Sequence, residues 1–123
     1  MQTSFITSSD GTKLRIGKSG DGSKNILLVP GLAEHLGRYE HVVEALNTAG
    51  WSVTVVELRG HGKSEGKQGH VDQWNQYLED VQAAAATIDG PVVVLGHSMG
   101  GLVALDLAIN GLPNGISALA LSD

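Results

Sequence analysis

The stretch Pro91-Val92-Val93-Val94-Leu95-Gly96-His97-Ser98-Met99-Gly100-Gly101-Leu102-Val103-Ala104 decides the reading of this chain. Pro91 is followed by four apolar residues, three of them β-branched, a composition that predicts a strand buried on both faces. A Gly-Gly pair then leads into an apolar run of good helix formers. Between the two lies Gly96-x-Ser98-x-Gly100, the G-x-S-x-G spacing of a nucleophile elbow. Such a turn holds its serine at positive φ, a conformation that costs about 1–3 kcal/mol for a residue with a side chain. The residues two before and two after must be nearly without side chains, or they would clash across the turn. The helix that follows would aim its positive dipole end at Ser98, and the backbone N–H of Met99 would stabilise a developing oxyanion. The plainer reading is a β-to-α turn in which Ser98 merely caps the helix.

Working outward, the chain alternates. Phe5-Ile6-Thr7 and Leu14-Arg15-Ile16 flank Asp10-Gly11, a hairpin signal. Ile26-Leu27-Leu28-Val29 is a short apolar strand ended by Pro30-Gly31. Residues 37–49 have helical spacing, with Tyr39, Val42, Val43 and Leu46 on one side and Gly50 as the stop. Trp51–Val56 is β-rich, and residues 58–69 form a glycine-rich loop. Val71, Trp74, Leu78, Val81, Ala85 and Ile88 step by three and four, which predicts an amphipathic helix over 71–88 with Trp74 and Leu78 in the core. A helix from Ser98 to Asn110, a turn at 111–115 and a last strand, Ile116–Leu121, complete the chain. This order implies an α/β fold: an antiparallel hairpin, then parallel strands with helices on both faces, in one domain over residues 1–123.

Composition narrows the function. The chain has 123 residues, 41% hydrophobic, so it can form a core. Its net charge is −5 and its eight basic residues do not cluster, which argues against nucleic acid as a partner. Without cysteine there is no thiolate nucleophile, thiolate metal site or disulfide. The five histidines include no pair at metal-binding spacing, so no metal and no cofactor is expected. The start, Met1-Gln2-Thr3-Ser4-Phe5, lacks a secretory pattern, and a cytoplasmic location is the expectation.

Three motifs together resemble the N-terminal half of an α/β-hydrolase, in particular the monoacylglycerol lipase and lysophospholipase group of serine hydrolases. They are Pro30-Gly31-Leu32-Ala33-Glu34-His35-Leu36-Gly37-Arg38-Tyr39, then Glu57-Leu58-Arg59-Gly60-His61-Gly62-Lys63-Ser64-Glu65-Gly66, then Gly96-His97-Ser98-Met99-Gly100-Gly101. Two positions depart from the group: Pro30 stands where a His is usual, and Glu57 where an Asp is usual. The resemblance implies Ser98 as nucleophile, backbone N–H groups of Leu32 and Met99 as the oxyanion hole, and Gly96 and Gly100 as the elbow glycines. It implies a small acyl-ester or lipid substrate, with the Leu32 and Met99 side chains lining the acyl pocket. Glu34 and His35 are read as holding the oxyanion loop by hydrogen bonds, Arg59 and His61 as ordering the glycine-rich loop, and His97 as packing away from the serine hydroxyl.

A serine needs a histidine as base and an acid to orient it, and in this fold they follow the serine in the order acid, then histidine. All five histidines precede Ser98, and the only acids after it are Asp106, inside the predicted helix, and Asp123, a candidate acid at the end of the last strand. Members of the group run to roughly twice this length, so the sheet is expected to be incomplete here. A complementary C-terminal hydrolase chain would then bring the acid and histidine. The competing class is a non-catalytic hydrolase-like half serving as a scaffold.

Overall fold

The apolar β-rich runs become strands. In the computed structural model, which describes residues 1–111, 113 and 115–122, β1 (Gln2–Thr7) and β2 (Lys13–Ser19) form the hairpin. They are followed by β3 (Lys24–Val29), α1 (Glu40–Thr48), β4 (Trp51–Val56), α2 (Asn75–Ala85), β5 (Val92–His97), α3 (Met99–Ile109) and β6 (Ile116–Ser122). The hairpin closes because Gly11 adopts φ +87° and Asp10 Oδ1 accepts the Thr12 amide at 3.1 Å. The candidate acid Asp123 lies outside the described residues, as does part of the turn expected at 111–115.

The six strands make one open sheet in the order β1-β2-β4-β3-β5-β6. β2 pairs antiparallel with β1 and β4, and the other pairs are parallel. In β3, Ile26 faces Val53 on one side and Val93 on the other, which fixes the register of the central strands.

The two faces follow from the period of two along each strand. Ile26 and Leu28 of β3, with Val53 and Val55 of β4, pack under Val43 of α1 and under Leu36 and Tyr39 of a single 3₁₀ turn that leads into it. Leu27, Val29, Val56, Val92 and Val94 point the other way. They meet Leu78, Val81 and Ala84 of α2 and Val103, Ala104 and Leu107 of α3. No described helix is long and apolar enough to cross a membrane.

Three expectations are corrected. β5 is not buried on both faces: Val92 and Val94 are buried, while Val93 and Leu95 are half-exposed, because α1 reaches only the β3–β4 part of its face. α2 starts at Asn75 rather than 71, so Trp74 is not locked onto its inner stripe; the residue is 38% exposed and its indole N–H donates to Asp106 Oδ2 at 2.9 Å. Val42 is likewise exposed at the rim of α1, while Val43 beside it points inward.

Candidate active site

β5 ends at His97 and α3 begins at Met99, so Ser98 alone makes the turn. It sits at φ 55°, ψ −119°, outside the helical and extended regions. Its backbone is nonetheless held: the amide donates to Ser122 O at 2.8 Å, and the carbonyl accepts from Gly101 N at 2.9 Å and Leu102 N at 3.3 Å. The side chain makes no capping hydrogen bond, and the residue is exposed. A serine that only capped the helix would accept an N–H from the first turn in an unstrained conformation. Ser98 does neither.

The neighbouring glycines have no room for a side chain. A Cβ on Gly100 would run into Val29 O and lie 2.6 Å from Pro30 O, both backbone atoms. One on Gly96 would collide with Gly100 O and lie 2.7 Å from Gly101 Cα. The elbow thus closes against the end of β3, which delivers the loop that faces it.

That loop is a tight turn over residues 31–34, with Ala33 at φ 63° and Glu34 N donating to Gly31 O at 3.2 Å. The Glu34 side chain closes it from the other side. Its Oε1 accepts the Gly31 amide at 2.7 Å and the Tyr39 hydroxyl at 2.6 Å. Burial pushes the Glu34 carboxyl up, but these two donors, with the nearby His97 and Arg38, hold it below the ordinary carboxylate range. Burial and the same carboxylate push the Tyr39 hydroxyl well up. A Cβ on Gly31 would lie 3.2 Å from Ser98 Cβ, so the turn rests directly on the serine. Among the described residues, neither the Leu32 nor the Met99 amide donates to a protein acceptor. The Leu32 side chain is 57% exposed.

The other sequence-derived residues order their surroundings. His35 Nδ1 accepts the Gly37 amide at 3.1 Å. Arg59 donates Nη2 to Asp80 Oδ1 and Nη1 to Asp10 Oδ2, each at 2.7 Å, so one guanidinium ties the glycine-rich loop to α2 and to the hairpin turn. Asp10 is held far below the usual range by Arg59 and by its bonds to Thr12. His61 Nδ1 lies 3.0 Å from Arg59 O, and since a carbonyl only accepts, that nitrogen carries the proton. His97 turns to Ser122 Oγ (3.2 Å) and sets its ring edge-on to Tyr39. Among the described residues no histidine hydrogen-bonds to Ser98, and no group of three His, Cys, Asp or Glu side chains is placed to hold a metal. Arg15, Asp10 and Asp80, each in an ion pair, escape sequence reasoning because their partners lie 42, 49 and 21 residues away.

Comparison with known proteins bears on family and fold. Residues 21–122 match the family described as Hydrolase_4, serine aminopeptidase S33. The chain is 38% identical over 102 residues to a monoacylglycerol lipase of Mycolicibacterium smegmatis, covering 79% of this chain and 36% of that protein. It is 38% identical over 84 residues to the phospholipase YtpA of Bacillus subtilis, covering 66% and 32%. The solved monoacylglycerol lipase of Paleococcus ferrophilus superposes with a TM-score of 0.80 at 34% identity, over 89% of this chain and 42% of that one. The architecture is therefore the N-terminal half of the α/β-hydrolase fold, with its sheet open at β6. The chain spans about a third of the length of the curated relatives it matches.

Proposed function

The chain belongs to the serine aminopeptidase S33 family of hydrolases, and from that premise we propose that it carries the nucleophile and oxyanion donors of a serine ester hydrolase acting on acylglycerols or similar carboxylic esters. Ser98 Oγ attacks the ester carbonyl, forming the acyl–oxygen bond as its proton passes to a histidine base. The oxyanion is held by the Leu32 and Met99 amides. The alcohol leaves with the proton returned by that histidine, and water then hydrolyses the acyl-enzyme. The observation that carries this reading is the exposed, uncapped Ser98 hydroxyl at φ 55°, resting against a turn whose Leu32 amide has no acceptor among the described residues. The monoacylglycerol lipase names among its relatives support the substrate class.

The acid and histidine come, in this proposal, from a polypeptide that continues the sheet past β6, either a further stretch of chain or a separate subunit. Among the described residues β6 pairs only with β5, which leaves a free edge. Beside it Leu102, Leu105 and Ile109 form an i, i+3, i+7 stripe on α3, 59%, 43% and 75% exposed. On the opposite face a cleft of about 280 Å³ opens between α1 and β5, walled by Leu28, Tyr39, Val42 and Leu95. An apolar edge with both flanking surfaces bare supports a polypeptide that packs there.

A fluorophosphonate probe tests both parts. The assembly purified from the native source is expected to label at Ser98, and the 123-residue chain alone to label at a small fraction of that rate. No labelling of a folded assembly sinks the enzyme, and full-rate labelling of the lone monomer sinks the completing polypeptide.

A further inference from the structure

We infer that Glu57, with Arg15 as its countercharge, is a positioning residue for the loop that presents the Leu32 amide. The inference rests on the catalytic reading above only for its effect on rate.

Glu57 follows β4 and is fully buried, and the Arg15 side chain, from β2, is 16% exposed. Each Glu57 oxygen takes two donors. Oε1 accepts Arg15 Nε at 2.7 Å and the Lys63 amide at 2.9 Å. Oε2 accepts Arg15 Nη2 at 2.9 Å and the Leu36 amide at 3.0 Å. The guanidinium grips both oxygens in a two-pronged pair. The two remaining acceptor directions reach separate backbone segments: the start of the 3₁₀ turn at Leu36 and the glycine-rich loop at Lys63. Gly62, at φ +51°, lies so close over the carboxylate that a Cβ there would collide with it.

This placement fixes the far end of the site loop. The stretch from Gly31 to Leu36 is held at its first residue by Glu34 and at its last by Glu57. Leu32 hangs between the two carboxylates, with no protein acceptor of its own among the described residues. An ion pair that served stability alone would not need to direct an acceptor at the Leu36 amide. The charge is required because four donors converge: a Gln side chain would turn an N–H₂ toward two of them. Burial works against the ionised form, and the Arg15 guanidinium with the Lys63 and Leu36 amides outweighs it, so the carboxyl stays below its ordinary range.

The test is amide NMR on the purified protein, in whatever assembly it forms. In Glu57→Gln, the Leu36 and Lys63 amides should exchange at least about tenfold faster, and the Gly31 and Leu32 resonances should shift. Asp80→Asn, which breaks the other buried ion pair, should leave Gly31 and Leu32 in place. Wild-type resonances at Gly31 and Leu32 in Glu57→Gln, or equal shifts in Asp80→Asn, overturn the inference. If Glu57→Gln does not fold, Arg15→Lys keeps the charge but loses the fork. It is read on the same four amides: shifted Gly31 and Leu32 resonances support the inference, and unshifted ones overturn it. These readouts do not depend on Ser98 being a nucleophile. Where it is one, Glu57→Gln should lower kcat about ten- to a hundredfold, less than outright loss of an oxyanion donor, with KM changed less than about twofold. A loss confined to KM counts against positioning.

Discussion

Replacing Gly100 by alanine isolates the geometry that makes the elbow. The new Cβ would run into Val29 O and sit 2.6 Å from Pro30 O, where ordinary contact begins at 3.4 Å. Val29 O belongs to the last residue of β3, which lies between β4 and β5, and Pro30 O to the residue that follows, so both are backbone atoms and neither is the end of a flexible side chain. Overpacking of this kind costs about 3 kcal/mol or more. Alanine recovers about 1 kcal/mol over glycine inside a helix, leaving a net loss of about 2 kcal/mol. Gly101 is the internal control. It occupies the next position of the same helix, and its added Cβ meets nothing nearer than Gly96 O at 3.3 Å. Gly101→Ala should therefore stay within about 0.5 kcal/mol of the wild type. Urea unfolding of the assembled protein, compared at equal m-value, should separate the two variants by about 2 kcal/mol, and fluorophosphonate labelling should fail only in Gly100→Ala. Stabilities equal within about 0.5 kcal/mol would refute the claim that β3 closes on the elbow.

Ser98→Gly should relieve the strain at φ 55° and stabilise the protein by about 1 kcal/mol, read as a rise in urea midpoint; a lower midpoint contradicts the strain. The carboxyls of Glu34, Glu57 and Asp10 all titrate below their ordinary values. Their contribution is complete above the unfolded values near about 4 and is lost as pH falls through the folded ones. The melting temperature should thus be level from about pH 7 to 5 and drop below about pH 4, and a level profile down to about pH 3 contradicts this reading. Asp80→Asn leaves Arg59 buried with Asp10 as its remaining carboxylate partner and should cost about 3 kcal/mol, measured by denaturant unfolding. Leu105→Gln with Ile109→Gln should improve the solubility of the lone chain and abolish co-purification of the completing polypeptide. Retained co-purification removes α3 from that interface.

The residues legible in the sequence are those whose demands are local. Gly96, Ser98 and Gly100 can be read because a strand-to-helix turn imposes its steric requirements within five residues, and Asp10-Gly11 because a hairpin needs positive φ at one known place. The strands of the central sheet are legible for the same reason: Ile26–Val29 and Trp51–Val56 announce themselves by composition. Trp74 misleads because the helical spacing that includes it begins at Val71, four residues before the actual start of α2. Val93 and Leu95 mislead because an apolar run reads as doubly buried whether or not a helix arrives to cover the second face.

What the amino-acid order determined by itself is the strained turn at Ser98 and the alternation of strands and helices, since each follows from the steric and apolar character of adjacent residues. What only the tertiary structure decided is which distant carboxylates hold the loops. Glu57 reaches Arg15 and Leu36, and Arg59 reaches Asp80 and Asp10, through pairs that exist only once β2, β4 and α2 are assembled. A buried charge finds its partner by position in space, and nothing in a linear neighbourhood encodes that distance.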